Sequence, residues 1–189
     1  MEIILTYKGH IPAKTSNKKA IWNMRKSFHN QLIKIWDKQP FQILSEWYKS
    51  EQHASSFENF HEKFIKKHDG VTFIPIYGRT IGIGVSLDIT LLTGMEEKNK
   101  VLKAGDLDNR IKRIIDGLRV PIQKGELCND LANNSEWHCL LEDDDAVISL
   151  NAQMGTYLGS DDSKESFAFI RVKPMSTGPV YTSTLSMLF

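Results

Sequence analysis

The spacing of apolar residues along the chain predicts a series of strands and helices. Segment 81–93 alternates apolar and polar positions over most of its length, as a strand with one buried face does. Segment 108–118 repeats its large apolar residues every three or four positions, as an amphipathic helix does. We expect further strands at 2–7, 71–78, 146–158 and 167–175, and a long helix from 17 to about 36.

This order of elements predicts an α/β chain of the α+β type. We expect one domain, 1–189, built on a mixed sheet of about four to five strands with two main helices and inserted short helices. Residues 119–141 are polar and irregular in pattern, so we expect a long connection there. The chain of 189 residues is long enough for one sizeable core.

The net charge of +1 hides an uneven distribution of charge along the chain. Residues 1–40 contain eight basic side chains, opposed only by Glu2 and Asp37. Residues 126–165 are instead rich in aspartate and glutamate. A basic arm beside an acidic cluster suits a polyanion held near a metal ion, although two solvated faces would give the same pattern.

Cys128 and Cys139 are the only two cysteines, and the first residues do not form the apolar run of a signal peptide. These features favour a reduced, cytoplasmic protein. The cysteines and His138 could suggest zinc, but an adjacent His-Cys pair without a second Cys-x-x-Cys is poor ligand spacing. We therefore expect buried free thiols.

The most informative segment is DLDNRIKRIIDGL, which opens the second main helix. Asp106 and Asp108 lie two residues apart, so in an extended segment their carboxylates point to the same side. Oxygen ligands of this kind suit Mg²⁺, with Mn²⁺ as a substitute, and such an ion also recruits substrate phosphate. Lys112 follows Asp108 by four residues, so its ammonium can reach the same site.

Simpler interpretations of this segment stay open. Asp106 or Asp108 could be the N-cap of the helix, because aspartate is among the best N-cap residues. Lys112 could then be a surface partner of Asp108 or Asp116. A calcium-binding loop is excluded, since the segment lacks the glycine and the terminal glutamate of such a loop.

A second acidic element, EDDDAVISL, stands immediately before a predicted strand. Three consecutive aspartates are unfavourable there, because aspartate has low strand propensity and the charges repel one another. Residues that are unfavourable for the local structure, with no nearby contact to compensate for them, indicate a functional site. If this strand neighbours the one at 81–93, Asp143 or Asp144 can converge on Asp106 and Asp108; otherwise the run is a solvated acidic turn.

These two segments resemble the RusA-type Holliday-junction resolvases, whose pattern is D-x-D-N-x-x-K-x-x-x-D-x-L followed by D-D before a strand. The resemblance covers most of the chain apart from expected insertions at 37–70 and 120–140. It implies a Mg²⁺-dependent, dimeric endonuclease that cuts branched DNA. It also implies catalytic roles for Asp106, Asp108, Lys112 and Asp144, and the three aspartates, with Asp143, would hold the metal.

We therefore expect a structure-specific DNA endonuclease that acts as a homodimer in recombination or repair, in the cytoplasm near the nucleoid. The phosphate contacts are expected from Lys14, Lys18, Lys19, Arg25, Lys26, Arg110 and Arg113. Two alternatives belong to other classes. One is a non-catalytic nucleic-acid-binding protein on the same fold, and the other is a metal-dependent nuclease or nucleotide hydrolase with another substrate, for example in defence against foreign DNA.

Overall fold

The computed structural model describes residues 2–13, 18–49, 64–68, 70–94, 106–122, 126, 135–159, 162 and 164–177, without the side chains of Trp47, Lys49 and Asp106. The helices within these residues are α1 (Lys18–Trp36), α2 (Gln42–Lys49) and α3 (Asp106–Leu118). The strands are β1 (Ile3–Gly9), β2 (Lys66–His68), β3 (Val71–Tyr77), β4 (Ile83–Thr93), β5 (Glu136–Leu141), β6 (Val147–Thr156) and β7 (Ser166–Ser176). None of the described helices is both long enough and apolar enough to cross a membrane.

The strands form two mixed sheets. In the larger sheet the order is β1-β7-β4-β6, where β4 and β6 are parallel and the other neighbours are antiparallel. In the smaller sheet the order is β2-β3-β5, where β3 and β5 are parallel. The α+β class and the mixed pairing are confirmed. The expectation of a single sheet is wrong, because the strands divide over two.

The alternating pattern of β4 determines how the larger sheet is buried. The inward residues, all without exposed surface, are Val85, Leu87, Ile89 and Leu91. The residues between them are polar and half-buried. Asp88 and Thr90 accept side-chain hydrogen bonds of 3.1 and 2.8 Å from Asn151 and Gln153 of β6. The polar positions of β4 therefore reinforce its pairing with β6.

Helices α1 and α3 pack against each other at a glycine. Met24, Phe28 and Leu32 form the buried stripe of α1. A Cβ atom on Gly117 would lie 3.1 Å from Met24 Cβ and 3.3 Å from Phe28 Cε2. The absence of a side chain at position 117 therefore lets the C-terminal end of α3 approach α1 closely.

Asp116, in the last turn of α3, is the centre of a buried ionic cluster. Its carboxylate pairs with Arg113 at 2.7 Å and with Arg119 at 3.2 Å. Its backbone carbonyl accepts a hydrogen bond of 2.7 Å from Arg25 of α1. All four residues are buried, and burial lowers the pKa of Arg25. Because an interior charge is tolerated only when it is paired, this cluster fixes α3 against α1.

The segment 119–141 differs from the prediction of an irregular connection. Its last six residues form β5, which pairs in parallel with β3. The final four residues of β5 are all buried, so the strand has no alternation of apolar and polar positions. A strand buried on both faces reads as a short apolar run, and periodicity does not reveal it. β2 lies where we expected the end of one of the inserted short helices, and that expectation is wrong for Lys66–His68, since three residues are too few to show a strand pattern of their own.

We predict that Asp116→Ala lowers the free energy of unfolding by about 3–5 kcal/mol, because it leaves buried arginines without their carboxylate. Glu2→Ala is the matched control. Glu2 also pairs with two basic side chains, Arg171 and Lys173, but all three are more than a third exposed, and exposed pairs contribute about 0–1 kcal/mol. Urea denaturation measures both losses, and equal losses would contradict the role given to the cluster.

Candidate functional site

An open cleft of about 770 Å³ lies between α3 and β6. Apolar residues of both elements line it, among them Ile111 and Leu150. The charged lining residues are Asp108, Lys112 and Asp116 of α3 and Asp144 and Asp145 of the turn before β6. The two acidic segments singled out in the sequence therefore line the same cleft.

The parallel pairing of β4 with β6 brings the second acidic segment to this cleft. β6 begins at Val147, which pairs with Val85 of β4. The 3-10 turn Asp144–Ala146 directly precedes this first pair, so the pairing determines where the acidic residues lie. The condition for bringing the two acidic segments together, that these two strands are neighbours, is therefore met.

Asp108 and Lys112 are both exposed on α3, and their four-residue spacing places them on one helix face. Neither side chain forms a hydrogen bond or an ion pair with a described residue. Asp116 is occupied by two arginines, so it is not the surface partner of Lys112. Asp108 is the third residue of α3, so it is not the N-cap. An acidic and a basic group are thus left open in the cleft.

Asp106 is the first residue of α3, and this corrects the predicted geometry of the aspartate pair. We expected an extended segment with both carboxylates on one side. Positions two apart in a helix are instead separated by about 200° around its axis. The side chain of Asp106 lies outside the described residues, and its role as a ligand stays a prediction.

The three aspartates before β6 lie in three different environments. Asp143 is the N-cap of the 3-10 turn, where its Oδ1 accepts a hydrogen bond of 2.8 Å from Asp144 N. Asp145 pairs with Arg79, whose Nε lies 3.2 Å from Oδ2. The Asp144 side chain is exposed and has no partner in the described part of the chain. Of the three, Asp144 is the one whose carboxylate is available in the cleft.

Asp143 does not line the cleft that contains Asp108. It lines a second cleft, of about 350 Å³, together with Glu142 and Lys66. Asp145 lines both clefts. Since the Asp143 carboxylate caps the turn and faces the second cleft, its predicted role as a metal ligand is not supported by this geometry.

The described residues contain no group of three or more His, Cys, Asp or Glu side chains that could hold a metal ion. Mg²⁺ requires fewer protein ligands than this, because it usually keeps several waters and binds through one or two carboxylates plus substrate phosphate. Asp108 and Asp144 supply two such carboxylates, one from each segment of the cleft. Carboxylate oxygens are ligands of the kind that Mg²⁺ takes together with a phosphate.

The basic residues that we expected to contact DNA divide into two groups. The exposed ones are Lys18, Lys19 and Lys26 of α1. The buried ones are Arg25, Arg110 and Arg113. Lys14 lies outside the described residues. The prediction is therefore corrected for the three arginines, which lie in the interior and not on a surface open to DNA.

Each of these arginines can be buried because its guanidinium group donates a hydrogen bond to an oxygen atom of the protein. Arg25 and Arg113 bond to Asp116, and Arg110 Nη1 donates a hydrogen bond of 2.6 Å to the carbonyl of Ile11. The sequence contained one signal for this, since Arg113 stands three residues before Asp116, the spacing of ion pairs within a helix. The hydrogen bonds from Arg110 to Ile11 and from Arg25 to Asp116 join residues that are far apart in the sequence, so they leave no local pattern.

Sequence reasoning did not single out Arg79. It lies in the 3-10 turn Arg79–Ile81 between β3 and β4. The glycine at each end marks a turn, and Gly82 has the positive φ of 71° that favours glycine. The pairing of Arg79 with Asp145 spans 66 positions, so no local spacing could have revealed it.

Cys139 and His138 are packing residues of β5. Burial raises the pKa of Cys139 to about 12, so at neutral pH it is a thiol and not the thiolate that binds zinc. His138 contacts the rings of His29 and Trp36, with centroids 5.7 and 4.9 Å away. The expected buried free thiol is confirmed for Cys139, while Cys128 lies outside the described residues.

Comparison with known proteins does not identify a family for this chain. No protein-family model, curated protein or solved structure matches it. The function proposed below therefore depends on the chemistry of the cleft and on the two sequence motifs that line it.

Proposed function

We propose that this protein is a Mg²⁺-dependent endonuclease that hydrolyses phosphodiester bonds in branched DNA. One observation carries the proposal. Asp108, Lys112 and Asp144 come from two segments far apart in the sequence, line one cleft, and have no partners among the described residues. Two carboxylates and an ammonium that line one cleft are side chains that a Mg²⁺ ion and a phosphate would require. The resemblance to the RusA-type pattern assigns the same three residues to catalysis.

Asp108 and Asp144 would hold the metal ion, and Asp106 is the proposed third ligand. When bound, such an ion helps to turn water into a nucleophile and neutralises charge on the phosphate. Lys112, four residues beyond Asp108, places its ammonium near the same phosphate. There it would stabilise the negative charge that develops in the transition state. Mn²⁺ would substitute for Mg²⁺, since it accepts the same oxygen ligands.

DNA would bind through phosphate contacts. Lys18, Lys19 and Lys26 of α1 are exposed and available for this, and Lys14 is proposed to join them. Binding through such contacts weakens steeply as salt increases. A four-way junction has near two-fold symmetry and needs two cuts, so we propose a homodimer with one site in each protomer.

Incubation with three labelled substrates tests the proposal. A four-way junction, a linear duplex of the same sequence and a set of nucleotides are each incubated with the protein and Mg²⁺. We expect paired cuts in the junction, little cutting of the duplex and no hydrolysis of nucleotides. Junction binding without cuts would favour the non-catalytic alternative, and nucleotide hydrolysis would favour the other enzyme class.

We predict that Asp108→Asn abolishes junction cleavage and leaves junction binding unchanged or slightly tighter. The amide is a much weaker metal ligand, and it removes a negative charge that faces phosphate. Cleavage and binding are measured on the same labelled junction, with Asp88→Asn on the larger sheet as the matched control. Full cleavage by Asp108→Asn would rule out its role as a metal ligand.

Lys112→Ala is expected to lower the cleavage rate by roughly 10²–10³-fold, the usual loss when one group that stabilises the transition state is removed. Its effect on affinity is expected to be small, because one charge among many contributes modestly to DNA binding. Single-turnover kinetics at saturating protein separates the two effects. Lys34→Ala, another exposed helical lysine, is the control. A loss that disappears at saturating protein would make Lys112 a DNA contact instead.

The three aspartates of the turn are expected to respond differently to the same change. Asp144→Asn should be inactive, because its carboxylate is the available one. Asp143→Asn should retain most activity, since asparagine caps as well as aspartate. Asp145→Asn should also retain most activity, because Arg79 donates its hydrogen bond to the backbone carbonyl of residue 145, which the change leaves in place. Cleavage assays under one condition rank the variants, and an active Asp144→Asn protein would contradict the assignment.

A further inference from the structure

The 3-10 turn Asp144–Ala146, which we call the acidic turn, and Glu142, two residues before it, are held by contacts from a second turn. This second turn, Arg79–Ile81, lies between β3 and β4, and we call it the clamp turn. Arg79 and Thr80 line the second cleft together with Glu142 and Asp145. The clamp turn therefore contacts the acidic segment in the second cleft, whereas Asp144 lines the proposed catalytic cleft.

The clamp turn binds the start of the acidic segment through Glu142. The two carboxylate oxygens of Glu142 accept hydrogen bonds from Thr80 N at 3.1 Å and Thr80 Oγ1 at 2.6 Å. Lys66 pairs with the same carboxylate at 3.0 Å, and Glu142 N donates a hydrogen bond of 2.8 Å to the carbonyl of Tyr77. Backbone and side chain of Glu142 are therefore both fixed.

The clamp turn binds the end of the acidic segment through Asp145. Arg79 Nε donates to the Asp145 carbonyl at 3.1 Å and lies 3.2 Å from its carboxylate. Asp144 stands between the two fixed residues and makes neither contact itself. Its backbone is consequently held on both sides while its side chain stays open in the catalytic cleft.

Two glycines allow this close approach. A Cβ atom on Gly78 would lie 2.5 Å from Glu142 Cβ, and a Cβ atom on Gly84 would lie 2.8 Å from the carbonyl oxygen of Ala146. Both distances are too short for a real side chain. The acidic turn therefore lies against β3 and β4 at a separation that only glycine permits at these positions.

We propose that Arg79 is a positioning residue, which holds the acidic turn so that Asp144 is presented correctly to the metal and phosphate; this inference rests on the proposed function. The ion pair itself is exposed, at 67 % for Arg79 and 48 % for Asp145, so it contributes little to stability. A small displacement of a reactive group can nevertheless lower the rate by about 100-fold. Arg79 thus affects the rate much more than the stability.

The test is Arg79→Ala, measured by single-turnover cleavage, junction binding and thermal unfolding. We expect the rate at saturating protein to fall by roughly 10- to 100-fold, with the binding constant, its salt dependence and the unfolding temperature almost unchanged. Arg79→Lys should recover part of the rate, because an ammonium can still bond to Asp145. Arg171→Ala, which removes another exposed, ion-paired arginine, is the matched control and should change none of these quantities.

Two results would overturn the proposal. An unchanged rate would show that the turn does not need Arg79. Weaker binding with a salt slope reduced by about one would show that Arg79 contacts a DNA phosphate directly.

Hydrogen exchange separates this inference from the proposed function. The amides of Asp144, Ala146 and Val147 all form hydrogen bonds within the acidic turn. In Arg79→Ala these amides should exchange faster than in the unchanged protein, whether or not the protein cleaves DNA. Faster exchange in a protein that is inactive on every substrate would support the clamp and reject the nuclease. Unchanged exchange would reject the clamp, whatever the activity.

Discussion

The candidate site depends on the buried ionic cluster around Asp116. Its carboxylate and carbonyl hold three arginines, one of which belongs to α1. Removing one partner from such a cluster leaves an interior charge unpaired, so α3 is not free to rotate or slide against α1. The cluster is about two helical turns from Asp108. The orientation of Asp108 and Lys112 in the cleft is therefore set by charges that are paired with one another and have no part in the proposed chemistry.

The second half of the site is held by a different kind of contact. A run of three aspartates would be unstable in an isolated strand, because the charges repel and aspartate disfavours extended structure. In the folded chain each carboxylate has a separate environment: one caps a turn, one pairs with Arg79, and one is open in the cleft. Of the three, Asp144 alone has no partner among the described residues, so its carboxylate is the one that we propose as a metal ligand.

Sequence patterns were sufficient to predict the elements that bury one face and therefore have a periodic pattern of apolar residues. The alternation of β4 and the helical spacing of α3 predicted both elements and the faces they bury. They were insufficient for β5, which is buried at consecutive positions, and for Arg25 and Arg110, whose partners lie far away in the sequence. The start of α3 at Asp106 was also missed, because an aspartate fits the first turn of a helix as well as the position before it. Thus sequence patterns could propose the candidate site residues, but how these residues are arranged depended on tertiary contacts.

Iron-mediated cleavage of the protein backbone tests most directly whether α3 and the acidic turn share one metal ion. Fe²⁺ with ascorbate and peroxide generates hydroxyl radicals, which cut the chain beside the bound ion, and mass spectrometry locates the cuts. A shared site predicts cuts near both 106–108 and 143–145, with the same dependence on Fe²⁺ concentration and joint suppression by excess Mg²⁺. Cuts in only one of these segments, or cuts that persist in excess Mg²⁺, would contradict a common metal site.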